Sequence, residues 1–330
     1  MPGCRCVLLL LLSMTRAWLP PVDRRRGNGK WLRSTLETTE GSSSEWNLRF
    51  GGLGRLYTDS AGQATNHSHI ALVERLRDET VAIIGIGGVG SWAAEAICRS
   101  GIGRIVLVDL DDICISNTNR QLHALSSTVG RMKTNEMMDR MLKINPHCNI
   151  SIVHDFVTVN NTLEIFEQLE SPSVVLDAID GSQEKAALIA ACVNGGVPIV
   201  TCGGAAGKRD PTQIVCEDLV SVSGDKLLSS TRKQLRQGYG FERGLPLHET
   251  KVGKTRKPRR WNVDAVYSKE SDKVVGVSGI GSSLRRCDSA LGTACFVTGT
   301  FGFVAASRVV EILVASNRVV PNKGRGSTST

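Results

Sequence analysis

Apolar residues along the chain fall into short unbroken runs separated by glycine-containing turns. Val81–Ile84, Ile105–Val108, Val174–Leu176 and Pro198–Val200 are such runs, the last two followed by Asp177 and Thr201. Runs that are apolar throughout, rather than alternating with polar positions, are the mark of strands buried on both faces of a parallel sheet. The first leads directly into Gly85-Ile86-Gly87-Gly88-Val89-Gly90 and then into Ser91–Cys98, a segment of small and apolar residues with helical spacing. Strand, glycine turn and helix in that order predict an α/β fold: Rossmann-like, with a mostly parallel, doubly wound sheet and helices on both faces. Near the other end, Thr293–Ser307 is apolar and is interrupted soon afterwards by Arg308 and Glu311. It falls short of the roughly 20 residues a spanning helix needs, so a buried helix is predicted, with Gly299 and Gly302 suited to close packing. No internal repeat is present.

Composition narrows the class without changing this picture. The 330 residues are 41% hydrophobic, 5% aromatic and 22% charged, which fits one large or two small globular domains and excludes a fibrous or wholly disordered chain. None of the ten cysteines forms a C-x-x-C pair, which argues against a zinc ribbon or a thioredoxin-type motif. Most are read as buried, reduced thiols. The net charge of +8 is concentrated in two patches, since residues 1–40 carry seven basic groups against three acidic and residues 251–286 carry ten against three.

In the first patch Arg5 precedes the apolar run Val7–Leu12, and an Arg-rich stretch from Arg24-Arg25-Arg26 follows. A signal-like segment joined to a transit-like one predicts an organellar protein, plastid or mitochondrial, with an untargeted cytoplasmic protein bearing a disordered extension as the alternative. The expected organisation is a leader over 1–44, the α/β domain over 45–320 with a basic, mobile, substrate-side insertion at about 238–288, and a disordered tail over 321–330.

Gly85, Gly87, Gly88 and Gly90 let the backbone turn tightly and approach a phosphate whose charge meets the amides at the helix start. Asp109 closes the second strand nineteen residues after Gly90, where a ribose-binding carboxylate is expected. The run Ser116-Asn117-Thr118-Asn119-Arg120-Gln121 follows, and Lys133 stands thirteen residues beyond Arg120. A dinucleotide's pyrophosphate is satisfied by backbone amides, whereas a triphosphate undergoing transfer needs cations on its developing charge, so Arg120 and Lys133 favour ATP over NAD. Asp180, at the carboxyl end of the third strand, is placed to hold Mg2+ on the phosphates. Blander readings make Arg120 a surface cation, Lys133 an exposed helix residue, Asp177 a helix cap or solvated strand end, and His123 structural.

The glycine loop, Asp109, Asn117-Thr118-Asn119-Arg120-Gln121, Lys133 and Asp180 together resemble the ThiF/MoeB superfamily of ubiquitin-activating-enzyme-like adenylating proteins. With Arg49-Phe50-Gly51-Gly52-Leu53-Gly54-Arg55-Leu56-Tyr57, Asp210-Pro211-Thr212-Gln213-Ile214 and Thr300-Phe301-Gly302-Phe303-Val304, the likeness is to its branch of TcdA-type tRNA threonylcarbamoyladenosine dehydratases, from about Arg49 to about Ile312. The resemblance implies ATP-dependent dehydration of threonylcarbamoyladenosine beside the tRNA anticodon, its carboxylate activated as an acyl-adenylate or as a carboxyl phosphate. It implies that the loop glycines, Asp109, Asn117, Asn119, Arg120 and Lys133 serve ATP and that Asp180 serves magnesium. It further implies a homodimer in which Arg55, or failing it Arg49, reaches the partner's ATP site. Sulfur-transfer proteins are further partners that it brings in.

One position departs from the branch, whose bacterial members carry a cysteine where this chain has Ala265. A thiol intermediate there is excluded, and ring closure without an enzyme-bound thioester is expected, Cys287 and Cys295 being the residues to test. In the second basic patch six cations fall within residues 251–260, and Trp261 follows. Lys254, Arg256, Lys257, Arg259 and Arg260 suit phosphate contacts and Trp261 suits stacking on an unpaired base, so this patch, with Arg285 and Arg286, is the expected tRNA surface. The alternatives are adenylation of the carboxyl terminus of a ubiquitin-like or sulfur-carrier protein, an NAD-dependent oxidoreductase, and a non-catalytic RNA-binding scaffold.

Overall fold

The computed structural model describes residues 39–57, 69–242, 260–270 and 292–316. The chain divides into Met1–Thr39 and Glu40–Thr330, and the fold below is that of the second unit, its first helix beginning one residue before it. Residues 1–38 of the expected leader, the tail, and Lys254, Arg256, Lys257, Arg259, Arg285, Arg286 and Cys287 lie outside the described residues. The first helix begins at Thr39, inside the range expected for the leader.

Seven strands form one sheet in the order β3-β2-β1-β4-β5-β7-β6. They are β1 (Thr80–Ile84), β2 (Arg104–Val108), β3 (Asn149–Val153), β4 (Val174–Asp177), β5 (Ile199–Cys202), β6 (Ile214–Asp218) and β7 (Asp264–Ser268). All neighbours are parallel except β6, which runs antiparallel to β7 at one edge. The helices are α1 (Thr39–Tyr57), α2 (His69–Asp78), α3 (Gly88–Arg99), α4 (Lys133–Ile144), α5 (Thr162–Gln168), α6 (Ser182–Asn194), α7 (Lys226–Gly238) and α8 (Cys295–Ala315). Successive strand residues point to opposite faces. Ile83, Leu107 and Leu176 therefore join the core beneath α3, α4 and α8, while Ile84, Val106 and Val175 join the core beneath α5, α6 and α7. Every residue of β1 and β4 is buried, which accounts for their unbroken apolar runs.

β7 corrects the expected organisation. Residues 264–268 fall within the range read as an insertion, yet they form an interior strand between β5 and β6, with Ala265, Val266 and Tyr267 buried. The polar, basic flanks hid a five-residue strand whose parallel partner, β5, is some sixty residues away in sequence. Ala265 itself is fully buried in the core beneath α6 and α7.

α8 is the buried helix that its composition predicts. A Cβ on Gly302 would lie 2.8 Å from the Val89 carbonyl oxygen, so only glycine lets α8 approach α3 there, whereas one on Gly299 would make an ordinary 3.6 Å contact with Trp92. Its carboxyl end is held by Arg75 of α2, which donates to the carbonyl oxygens of Ser316, Leu313 and Val314 at 2.9, 3.1 and 2.8 Å. A cation on these last carbonyls also meets the negative end of the helix dipole.

Candidate functional site: a nucleotide-binding face

The site lies where the winding of the sheet reverses, at the carboxyl ends of β1, β2 and β4. Ile84 is in register with Val108 on one side and with Asp177 on the other, so the residues leaving these strands stand side by side. Crevices at such reversal points are where open α/β sheets bind ligands. Gly85 continues the ladder by donating to the Val108 carbonyl at 2.8 Å, then turns with φ +88°, a conformation open to glycine. A Cβ on Gly90 would fall 1.8 Å from the Gly85 carbonyl oxygen. Gly85 and Gly90 thus close the turn, while Gly87 has no atom nearer than 4.0 Å to its missing Cβ and leaves room for a ligand. No side chain caps the first turn of α3, and its amides form the positive end of the helix.

Asp109 is buried, and its carboxylate accepts from the Ile86 amide at 2.7 Å and the Asp111 amide at 2.8 Å. A carboxylate offers about four acceptor positions, so capacity remains for ribose hydroxyls. The other side of the same loop residue is held by His123, whose Nε2 donates to the Ile86 carbonyl at 2.8 Å. Burial lowers the His123 pKa, which keeps the ring neutral, and its Nδ1 has no partner among the described residues. The structural reading of His123 therefore takes a specific form: it clamps the phosphate loop.

Lys133 is buried, against the reading of an exposed helix residue, and its Nζ lies 2.7 Å from Asp111 Oδ2. Arg120 is half-buried. Its Nη1 donates to Ser116 O at 2.7 Å and to Asn119 Oδ1 at 3.0 Å, and a Cβ on Gly88 would stand 3.7 Å from its Cγ, which places the arginine stem against the glycine loop. The Arg120 carbonyl accepts from Trp92 Nε1 at 3.0 Å and Thr298 Oγ1 at 3.1 Å, so α3 and α8 both fix it. Asn119 donates to the Thr293 carbonyl at 2.9 Å, and buried Asn117 accepts from the Cys114 amide at 3.0 Å. Asp180 is exposed at the head of α6. The turn before it is set by the Ile179 amide donating to Asp177 Oδ1 at 3.1 Å.

Asp177 is neither a solvated strand end nor a helix cap. It is fully buried and pairs with Lys185 Nζ at 2.8 Å, and Thr201 Oγ1 donates to the same carboxylate oxygen at 2.6 Å. Lys185 directly precedes the apolar run Ala186-Ala187-Leu188-Ile189, and nothing local to it in the sequence marks its burial. Thr298 and Trp92 carry no local mark either, because only the fold brings α8 to the loop.

Two further expectations are placed differently. Both arginines of α1 are exposed, but Arg49 is engaged within its own chain, with Glu45 at 2.6 Å and the Ile144 carbonyl at 3.3 Å. α1 packs its Phe50 on the Gly101 turn, at the amino end of β2, whereas the glycine loop lies at the carboxyl ends of the strands. Trp261 is half-buried and packed edge-on against Phe241, ring centroids 5.0 Å apart, so part of the ring is committed to the core, while the Arg260 side chain is largely exposed. All seven described cysteines are free; Cys98, Cys148, Cys192 and Cys202 are buried, and Cys295, in the first turn of α8, is exposed.

The profile of the ThiF family matches residues 63–323. The chain belongs to the ThiF family. Within it, the chain is 40% identical over 270 residues to the tRNA threonylcarbamoyladenosine dehydratase of Haemophilus influenzae, covering 81% of this chain and 93% of the relative. It is 41% identical over 282 residues to the protein of that name from Escherichia coli, covering 83% and 96%. The crystal structure of the E. coli dehydratase, TcdA, in complex with ATP superposes with a TM-score of 0.66 at 40% identity, covering 82% of this chain and 96% of that one. The ThiF family also includes the E. coli molybdopterin-synthase adenylyltransferase, 33% identical over 128 residues, or 39% of this chain and 50% of that one.

Proposed function

We propose that this protein is an ATP-dependent tRNA threonylcarbamoyladenosine dehydratase. The observation that carries the reading is the 40–41% identity to proteins of that name over about four-fifths of the chain. Supporting it, Asp109 and Arg120 both stand against the glycine loop. ATP lies over the strand ends, its phosphates on the amides of α3 and its ribose on Asp109. A carboxylate is a poor electrophile because its oxygen leaves badly; transfer of a phosphoryl-containing group from ATP onto that oxygen converts it into a good leaving group. The neighbouring carbamoyl group, held close, then attacks the carbonyl carbon and closes the ring. The activating phosphate departs with the former carboxylate oxygen, and the nucleoside has lost one water overall.

Arg120 and Lys133 neutralise charge on the phosphates during transfer, Lys133 exchanging the half-exposed Asp111 for ATP. Among the described residues no three His, Cys, Asp or Glu side chains group as a metal site. The exposed carboxylate of Asp180 fits magnesium, which takes one or two carboxylates and otherwise phosphate and water oxygens. It would supply further charge neutralisation. Ring closure proceeds without an enzyme thioester, since Ala265 is buried and carries no thiol. Cys295→Ala therefore retains turnover; loss of turnover with ATP affinity intact would restore a covalent step.

The deciding experiment incubates the protein with ATP, magnesium and threonylcarbamoyladenosine-bearing tRNA, digests the RNA and weighs the nucleoside. Loss of the mass of one water, absent in Arg120→Ala, is expected. An unchanged nucleoside with ATP still bound would redirect the reading to adenylation of a protein carboxyl terminus, the chemistry named for the adenylyltransferase relative. We further propose a homodimer in which Arg55 serves the partner's site, and an organellar location.

A further inference from the structure

Helix α7 contributes nothing to the nucleotide site described above, yet it carries Lys226, Arg232, Lys233 and Arg236 and no acidic residue. Burial sorts these positions by helical phase. Leu228, Thr231 and Leu235 are buried, whereas Lys226, Ser229, Lys233 and Gln237 are exposed and Arg236 is half-exposed. The spacing sets the exposed residues on one face. Arg232, on the flank, donates to the Val220 carbonyl at 3.0 Å, and Arg236 Nε donates to the Arg232 carbonyl at 3.0 Å along its own helix. The adjacent acid, Asp225, is buried and accepts from the Leu228 amide at 2.8 Å and the Gly204 amide at 2.9 Å, so its carboxylate is turned into the fold.

The position of this face matters as much as its charge. Ser230 Oγ lies 3.0 Å from Ser182 Oγ, and Ser182 opens α6 two residues after Asp180. Through Gly204, Asp225 ties the start of α7 to the end of β5. α7 therefore begins beside the carboxyl ends of β4 and β5, at the rim of the nucleotide face, and extends for about 20 Å at roughly 1.5 Å per residue. At its far end Phe241 and Trp261, which stand on either side of the basic run 251–260 in the sequence, meet with ring centroids 5.0 Å apart.

We infer that the exposed face of α7, Lys226 with Lys233 and Arg236, is a docking surface for the phosphate backbone of the RNA substrate. The inference rests on the dehydratase reading and extends it to where the tRNA lies. The chemistry favours a polyanion over an acidic protein: the exposed positions are Lys, Ser and Gln, with no exposed large apolar side chain on the helix to form the desolvated centre of a protein interface. Along the axis the three cations span about 15 Å, several phosphates of a nucleic-acid strand.

The test titrates the full chain with threonylcarbamoyladenosine-bearing tRNA at several salt concentrations and follows nucleoside mass in the same samples. For the triple variant Lys226→Gln, Lys233→Gln, Arg236→Gln, affinity is expected to fall about tenfold near physiological salt. The slope of log affinity against log salt should shrink by about two to three, one unit per lost phosphate contact. ATP affinity stays unchanged, which certifies the fold, and Lys226→Arg with Lys233→Arg keeps the parental slope. A triple variant that binds tRNA with the parental affinity and slope overturns the inference. Parental protein that binds tRNA on this face but leaves the nucleoside mass unaltered overturns the dehydratase reading and not the surface.

Discussion

Ile86 shows how single residues set this site, since Asp109 holds its amide at 2.7 Å and His123 its carbonyl at 2.8 Å. The clamp makes loop geometry depend on a neutral imidazole. Burial depresses the His123 pKa in the folded protein, so below the ordinary value near 6.5 the unfolded chain binds a proton that the folded chain does not. Stability contributed by the neutral ring is present above that value and lost as pH falls through it. Denaturation midpoints should therefore drop between about pH 7 and pH 5.5, and less so in His123→Gln, which can still donate to Ile86 but does not titrate. Equal acid sensitivity in the two proteins would exclude this role. The glycines divide in the same way. Gly90→Ala meets backbone at 1.8 Å and should abolish ATP binding by calorimetry, while Gly88→Ala, 3.1 Å from a Thr298 methyl, should weaken it far less.

Between elements, the buried pair Asp177–Lys185 joins β4 to α6, and Thr201 adds β5. Removing one partner leaves an uncompensated charge at zero exposure, so Lys185→Met should cost about 3–5 kcal/mol in urea denaturation. The double variant Lys185→Met, Asp177→Leu should lose less, because an apolar pair incurs no desolvation cost; an equal or larger loss would contradict a charge-based account. The same elements show what the sequence made legible. β1, β2, β4 and β5 are apolar runs beside glycine or acidic turns, and α8 is long and apolar, so each was readable from local pattern. β7 was not, because its polar flanks obscured a strand whose partners are distant in sequence. Asp109, Arg120, Lys133 and Asp180 stood out as charges at strand ends or in a polar run. Lys185 did not, because burial of a lysine is a property of packing, and the burial of Asp177 depends on that same unmarked partner.

At the scale of the whole molecule, α1 leaves Leu48 and Leu56 exposed at 83% and 75%, and Arg55 projects from the same helical face. Phe296 and Phe303 are likewise exposed on α8, the helix that touches Arg120. An apolar surface bearing the arginine expected to complete a neighbouring site suits a two-fold dimer, in which each copy gives and receives the same group. The arrangement makes a quantitative prediction. Arg55→Ala and Arg120→Ala should each be inactive alone, because every site in either homodimer lacks one arginine. When the two are co-expressed, random pairing gives about half heterodimers, each with one site that takes Arg120 from its own chain and Arg55 from the other. Nucleoside dehydration should then recover to about one quarter of the parental rate per chain. If Arg55 served its own chain, no pairing would restore a complete site and the mixture would stay inactive.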